Sequence, residues 1–242
     1  NLPAHDPARW KLFVEYCRQD VGTERTIENR LAAYPVPGSE WDLWRLDLLI
    51  NMYGAATDRE LVSGALAISR EAGEELKEKA CDITGLDNPN SVAQLKAWIE
   101  RNTGLEIDSL IKQPVADILS DNSGSDDVQE MLKIRQELCK TSVKKYETME
   151  ACMCEDGRIR GLLQFYGANR TGRWAGRLVQ VQNLPRNYIG TLDTARELVK
   201  SRNTEAVKLI YGNVPDTLSQ LIRTAFVPAS GCHYAVADFS AI

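Results

Sequence analysis

The spacing of apolar positions predicts helices along the first 150 residues. In several stretches apolar residues recur every three or four positions, as on one face of a helix. These stretches are residues 7–33, 39–53, 59–83, 91–103 and 126–153. We expect the first helix to break near the "DVGT" at 20–23, and residues 126–153 to form one helix of about seven turns. Ser91 is placed to cap its helix, and Gly104 follows that helix.

The pattern changes after Gly157. Residues 158–166, 170–175 and 232–239 are shorter stretches rich in aromatic and branched side chains, which predicts strands. Helical spacing returns at about 191–223. The predicted fold is therefore mainly α with a smaller α+β part that contains short antiparallel strands.

Composition is typical of a globular protein, with 43% hydrophobic and 26% charged residues in 242. The sequence has no apolar run of membrane-spanning length, and its first residues lack the layout of a signal peptide, so we expect no membrane association and a cytoplasmic location. The net charge of -5 argues against a protein that coats nucleic acid nonspecifically. It leaves room for a local basic groove.

The six cysteines are scattered, and only the "CMC" at 152–154 is closely spaced. Structural zinc sites usually draw four nitrogen or sulfur ligands from clusters such as CxxC, and both histidines are distant in sequence. Packed, reduced thiols are therefore favoured over a metal site.

The segment between Asp156 and Asp193 holds six arginines, no lysine and no acidic residue. We call these six residues the arginine island: Arg158, Arg160, Arg170, Arg173, Arg177 and Arg186. Arginine and amide donors suit DNA, because phosphates need cations and every base pair offers acceptors in the minor groove. Candidate donors are Arg173, Gln180, Gln182 and Asn183. The alternative is a solvated basic loop.

Asp238 follows an apolar stretch near the C-terminus. A carboxylate at a strand end can hold magnesium and leave coordination positions open for phosphates. The alternative is an ordinary turn residue.

Four motifs in this order resemble the family A DNA polymerases, in a phage or prophage form. They are "TGR" at 171–173, "QNLP" at 182–185, "IRTAFVP" at 222–228, and "VADFSAI" at 236–242, which is similar to polymerase motif A. Residues 88–107 and 132–149 resemble the helical thumb that grips duplex DNA. One departure is Gln180, which stands where the family commonly has asparagine.

The stretch "EYCRQDVGTE" at 15–24 resembles the third motif of the proofreading 3'-5' exonuclease. Tyr16 and Asp20 are four residues apart and would share a helix face. The alternative is the polar end of an amphipathic helix.

The resemblance implies three regions. Residues 1–56 would end an exonuclease-like domain, 57–153 would form the thumb, and 154–242 would begin the palm, with a helical insertion at about 187–221. The resemblance also implies that further exonuclease and polymerase carboxylates lie outside this chain.

Site roles follow from the resemblance as well. Asp238 would be catalytic and would bind Mg2+, and Asp20 would be an exonuclease metal ligand. The thumb residues that would contact duplex DNA are Arg135, Lys140, Ser142, Lys144 and Lys145. The residues that would contact the minor groove are Arg173, Gln180, Gln182 and Asn183. Partners would be primer-template DNA and deoxynucleoside triphosphates, and the chain alone is expected to bind duplex without catalysing extension.

Two other classes stay open at this point. One is a natural short DNA-binding protein derived from a polymerase, and the other is a helical interaction protein unrelated to DNA. The sequence does not indicate an oligomeric state.

Overall fold

The computed structural model describes residues 3–104, 109–110, 115, 119, 124–139 and 143–236. Helices, numbered over these residues, are α1 Pro7–Leu31, α2 Gly38–Tyr53, α3 Arg59–Thr84, α4 Val92–Thr103, α5 Asp126–Leu138, α6 Lys144–Cys152, α7 Leu192–Lys200, α8 Thr204–Tyr211 and α9 Val214–Leu221. Strands are β1 Ala55–Ala56, β2 Arg158–Ile159, β3 Leu163–Ala168 and β4 Arg173–Gly176. The predicted fold class, mainly α with a smaller antiparallel β part, is confirmed. None of the helices in these ranges has the length and apolarity that a membrane span needs.

The chain divides into two compact units, residues 1–48 and 49–242. In the first unit Asp6 caps α1 by accepting a hydrogen bond from the Arg9 backbone N–H at 3.0 Å. The predicted break at 20–23 is wrong, because α1 runs through Gly22 without interruption. One glycine costs a helix only about 1 kcal/mol, and the hydroxyl of Thr26 bonds to the Gly22 carbonyl.

Helix α3 is the longest element of the second unit, with 26 residues between an Asp58 cap and Gly85 in the left-handed region at φ 66°. At 1.5 Å per residue it is about 39 Å long. Its C-terminal half packs with α4 and α5 around a core that includes Leu95, Ile99 and Met131. Both signals read from sequence for α4, the Ser91 cap and Gly104 in the left-handed region, are confirmed.

The N-terminal half of α3 lies in a second core. This core includes Leu61 and Ile68 from α3, Tyr146 from α6, and Val199 and Leu218 from α7 and α9. Helices α7 to α9 therefore pack directly on α3, and most of the segment predicted as an insertion is a structural part of this core. Helices α3 and α7 approach closely at Gly64, where a Cβ would lie 2.1 Å from the Val199 carbonyl oxygen.

The single helix predicted for 126–153 is wrong. Helix α5 ends at Leu138, Cys139 is a turn residue, and α6 begins at Lys144. The apolar spacing continues on both sides because α5 and α6 each bury a stripe, in different cores. Spacing alone does not reveal an interruption between two helices.

The strands form two small antiparallel sheets, β1 with β2 and β3 with β4. The predicted strand at 158–166 is divided, since β2 ends at Ile159 and β3 begins at Leu163. The predicted strand at 232–239 is wrong for residues 232–236, which are not in a strand. A strand needs a hydrogen-bonded neighbour, and none of the described strands pairs with them. Residues 237–239 lie outside the described residues.

A charged cluster ties α7 to the start of α3. Asp58 accepts hydrogen bonds from Arg196 Nη2 at 2.7 Å and from the Leu61 backbone N–H at 3.1 Å, and it lies 2.9 Å from Lys200 Nζ. Burial alone would raise the pKa of Asp58. The hydrogen bonds from Lys200 and Leu61 and the charges of Lys200 and Arg196 outweigh burial, so the pKa is lowered.

We predict that Asp58→Asn lowers the free energy of unfolding at pH 7 by about 2 kcal/mol, because it removes the half-buried carboxylate charge that Arg196 and Lys200 share. Asparagine can still cap α3, so the change isolates the charge. Because the pKa of Asp58 is lower in the folded state, its ionised carboxylate stabilises the fold at pH values above the unfolded-state pKa near 3.8. This stabilisation is lost as the pH falls through the folded-state pKa. The free energies of unfolding of Asp58→Asn and the parent protein, measured with urea, should therefore differ less below about pH 4 than at pH 7.

Asp42→Asn is the matched control, because its ion pair with Arg45 is exposed at the surface. It should change stability by less than about 0.5 kcal/mol. A constant difference between Asp58→Asn and the parent from pH 7 to pH 3 would contradict the assignment.

Candidate nucleic-acid interface

The β3–β4 hairpin begins the candidate interface. Its register pairs Leu163 with Gly176 and Ala168 with Arg173. The Ala168 carbonyl accepts backbone hydrogen bonds from Thr171 and Gly172, both at 3.0 Å, which closes the turn. Gly172 has φ 66°, a conformation that glycine adopts without strain. The "TGR" triplet thus forms the turn and the first residue of β4.

Residues 177–185, which we call the amide segment, leave the hairpin and return to the core. Val179 and Leu184 are buried, whereas Arg177, Gln180, Gln182 and Asn183 are exposed. A short 3-10 helix at Val181–Asn183 separates the two buried anchors. The apolar side chains therefore fix the backbone, and the polar side chains point away from the core.

Two cations from other elements hold the amide segment in place. Lys145 Nζ on α6 donates to the Val179 carbonyl at 2.5 Å. Arg223 donates to the carbonyls of Leu184 and Pro185, each at 2.8 Å. Burial lowers the pKa of Lys145. The segment is positioned from both sides, as a preorganised binding surface requires.

The exposed amides also have defined neighbours. Gln182 packs on Gly176, where a Cβ would lie 1.8 Å from Gln182 Oε1. Asn183 Nδ2 donates to Gln180 Oε1 at 3.3 Å. Gln180 itself has φ 54°, which is unfavourable for a residue with a Cβ. Such backbone strain occurs often at binding sites, where the surrounding structure maintains it.

The structure separates the arginine island into two groups. Arg158 donates to the carbonyls of Tyr53 and Gly54, and Arg160 donates to that of Met52, so both bind the C-terminal end of α2. Arg160 also forms a bidentate ion pair with Asp156 and lowers the pKa of that carboxyl to about 2. Arg158 and Arg160 therefore bind protein atoms, a role that their sequence context does not indicate.

The remaining four arginines have a different environment. Arg170, Arg173, Arg177 and Arg186 are exposed. None of them forms an ion pair with another residue in the described part of the chain. Their charge is available to an anionic ligand such as a phosphate backbone.

The three predicted thumb residues that the structure describes have different environments. Lys144 is exposed on α6, and Lys145 is committed to the Val179 carbonyl. Arg135 lies on α5, with Nη1 3.4 Å from the Asn90 carbonyl oxygen. Lys140 and Ser142 lie outside the described residues.

The predicted metal ligands stay predictions. Asp238 lies outside the described residues. Tyr16 and Asp20 both lie on α1, four residues apart, and both are exposed. Across the described ranges no group of three or more His, Cys, Asp or Glu side chains is arranged to hold a metal ion, and this includes the half-buried Cys152 and Cys154.

Some residues that build the interface were missed from sequence. Asn51 pairs with the backbone of Leu163, accepting from its N–H and donating to its carbonyl, both at 3.0 Å, and so anchors the start of the hairpin. Arg223 is part of the "IRTAFVP" motif, but the motif does not indicate that its side chain binds the amide segment. Neither residue has a local signal, because each acts on backbone that is distant in sequence.

The chain is similar in sequence to a known DNA polymerase. No family model and no solved structure matches the chain. The chain is 53% identical to the DNA polymerase of Bacillus phage SP02. The similarity covers all 242 residues of this chain and 37% of that polymerase. The chain therefore resembles a phage DNA polymerase along its whole length and spans about a third of it. The hairpin, the amide segment and Asp238 all lie within the match.

Proposed function

We propose that this chain is part of a phage-type family A DNA polymerase, which adds deoxynucleotides to a primer 3' end as a template directs. The observation that carries the proposal is the 53% identity to the phage SP02 DNA polymerase over every residue of the chain. Such a protein would act in the cytoplasm of the host cell. Its substrates would be primer-template DNA and deoxynucleoside triphosphates.

In this proposal the amide segment and Arg173, the first residue of β4, face the minor groove of the duplex. Arg173, Gln182 and Asn183 are hydrogen-bond donors, and the groove edge of each base pair presents acceptors. Donors of this kind test the geometry of a pair without reading its sequence. The four arginines without ion pairs among the described residues supply the charge that phosphates require.

The three regions keep their proposed roles. Residues 1–56 belong to an exonuclease-like domain, residues 57–153 to the thumb, and residues 154–242 to the first part of the palm. The bond from Lys145 to the Val179 carbonyl supports a direct connection between α6 of the thumb and the amide segment of the palm. A shift of α6 would therefore be transmitted to the minor-groove donors.

The proposal assigns Asp238 as a polymerase magnesium ligand and Asp20 as an exonuclease ligand. Magnesium bound there would neutralise negative charge on the phosphoryl group that is transferred. Both assignments rest on the sequence resemblance. One carboxylate is a poor magnesium site, so the 242-residue chain should bind duplex without extending the primer.

The experiment that tests the proposal is a titration of a fluorescent primer-template duplex with the 242-residue chain at increasing salt. The logarithm of the affinity should fall linearly with the logarithm of salt concentration, by about 0.9 for each neutralised phosphate. Two duplexes of unrelated sequence should bind equally well. An affinity that does not change with salt, or no binding at low salt, would contradict the proposal.

A further inference from the structure

The β3–β4 hairpin contains a bulge with unusual residues. Gln164 pairs with Ala175 and Ala168 pairs with Arg173, so three residues of β3 lie opposite Trp174 alone. These three are Phe165, Tyr166 and Gly167. Bulges of this kind redirect a side chain and occur often beside functional sites.

The left-handed residue of the bulge is the tyrosine, not the adjacent glycine. Tyr166 has φ 54°, whereas Gly167 is not among the residues with positive φ. A residue with a Cβ in this region is strained, and glycine is the usual choice. Gly167 is needed for another reason, because a Cβ there would lie 2.4 Å from the Ala175 Cβ. The bulge therefore accepts strain in order to direct an aromatic ring.

The ring of Tyr166 is directed toward the hairpin turn. A Cβ on Gly172 would lie 2.9 Å from Tyr166 Cζ, so the ring lies against the turn glycine. Phe165 supports the arrangement, with its centroid 5.5 Å from that of Tyr166 and 5.5 Å from that of Trp174. Tyr166 nevertheless remains 49% exposed. An aromatic surface is thus held open at the turn.

Positive charge accompanies this aromatic surface. Arg170 lies in the turn, and Arg173 is the first residue of β4. Both side chains are exposed. An aromatic face beside exposed cations is the arrangement by which proteins bind single strands, with the base stacked on the ring and the phosphate near the cation. An apolar protein partner would gain nothing from the two charges.

We propose that the β3–β4 bulge and the adjoining Arg170 form a binding site for an unpaired DNA nucleotide, with Tyr166 as the stacking surface and Arg170 as the phosphate contact. Bases inside a duplex have both faces covered by their neighbours, so only a nucleotide in a single-stranded extension or at a frayed end offers a face to the ring. The inference rests on the proposed function, because it assigns the single-stranded part of the same primer-template DNA to Tyr166, beside the proposed duplex contact at Arg173.

The test compares two labelled DNAs, a blunt duplex and the same duplex with a short single-stranded extension, each titrated with the 242-residue chain. The parent chain should bind the extended DNA more tightly. Tyr166→Ala should weaken binding to the extended DNA about tenfold and leave the blunt duplex unchanged. Tyr166→Phe should retain the preference, since the ring face remains. Tyr34→Ala, which removes an exposed tyrosine in the first unit, is the control.

Tyr166→Gly adds a readout that a merely structural role would not give. It removes the ring and relieves the backbone strain, so the melting temperature should rise while the preference for extended DNA is lost. Equal weakening of both DNAs by Tyr166→Ala, or an unchanged preference, would overturn the inference and leave the proposed function standing. No binding of either DNA by the parent chain would overturn the proposed function instead, and the inference with it.

Discussion

On the proposed motif A assignment, Asp238→Asn should reduce primer extension roughly a thousandfold, because it would remove a charged metal ligand where negative charge must be neutralised. The protein for this measurement is a chimera in which these 242 residues replace the matching segment of the phage SP02 DNA polymerase, with which they share 53% identity. Asparagine is close to aspartate in size, so the change tests charge rather than packing. Primer extension in the presence of magnesium is followed on a denaturing gel.

Asp87→Asn in the same chimera is the matched control, since Asp87 is exposed and far from the motif in sequence. It should extend primers at the rate of the unmodified chimera. Asp238→Asn should retain its affinity for duplex DNA, because it removes a negative charge and leaves the arginines in place. Normal extension with Asn at 238 would show that the motif A assignment is wrong.

Gly64→Ala should lower the free energy of unfolding by about 3 kcal/mol, the upper part of the range for overpacking. The new Cβ would lie 2.1 Å from the Val199 carbonyl oxygen and 2.9 Å from its carbonyl carbon. Both are backbone atoms of α7, so no side-chain rotation relieves the contact and the two helices must separate. The measurement is urea unfolding monitored by circular dichroism.

Gly73→Ala is the matched control because it lies on the same helix and a Cβ there would meet nothing within 4 Å. It should stabilise the protein by about 0.5–1 kcal/mol, the usual gain when alanine replaces glycine inside a helix. If Gly64→Ala were also stabilising, the close contact between α3 and α7 would be contradicted.

Local signals predicted the elements well. The Ser91 cap, Gly104 and the apolar spacing of residues 59–83 correspond to α3 and α4 within a residue or two. Caps and helical spacing act within one or two turns of chain, so they can be read from sequence. The break expected at Gly22 failed because one glycine does not end a long helix.

Features that depend on distant residues could not be read in this way. Helix α5 ends at Leu138, and α5 and α6 pack in separate cores, which spacing does not show. Residues 232–236 have strand-forming composition, but none of the described strands pairs with them. Sheet formation depends on a neighbour as much as on propensity.

The candidate site shows the same division. Composition revealed an arginine island, but only the fold separates Arg158 and Arg160, which bind the carbonyls at the end of α2, from the four exposed arginines. Likewise, Lys145 was read as a DNA contact, and the structure shows its ammonium on the Val179 carbonyl. In both cases the partner is backbone that lies more than thirty residues away in the chain.

The most direct test of the central claim measures the salt dependence of duplex affinity for the triple variant Arg170→Ala, Arg173→Ala and Arg177→Ala. Each lost phosphate contact should reduce the slope of log affinity against log salt by about 0.9. Replacing Arg9, Arg18 and Arg30 by alanine in the first unit removes the same charge and should leave the slope unchanged. The proposed interface predicts a flatter slope and weaker binding for the first variant alone. Equal slopes for both variants and the parent chain would contradict it.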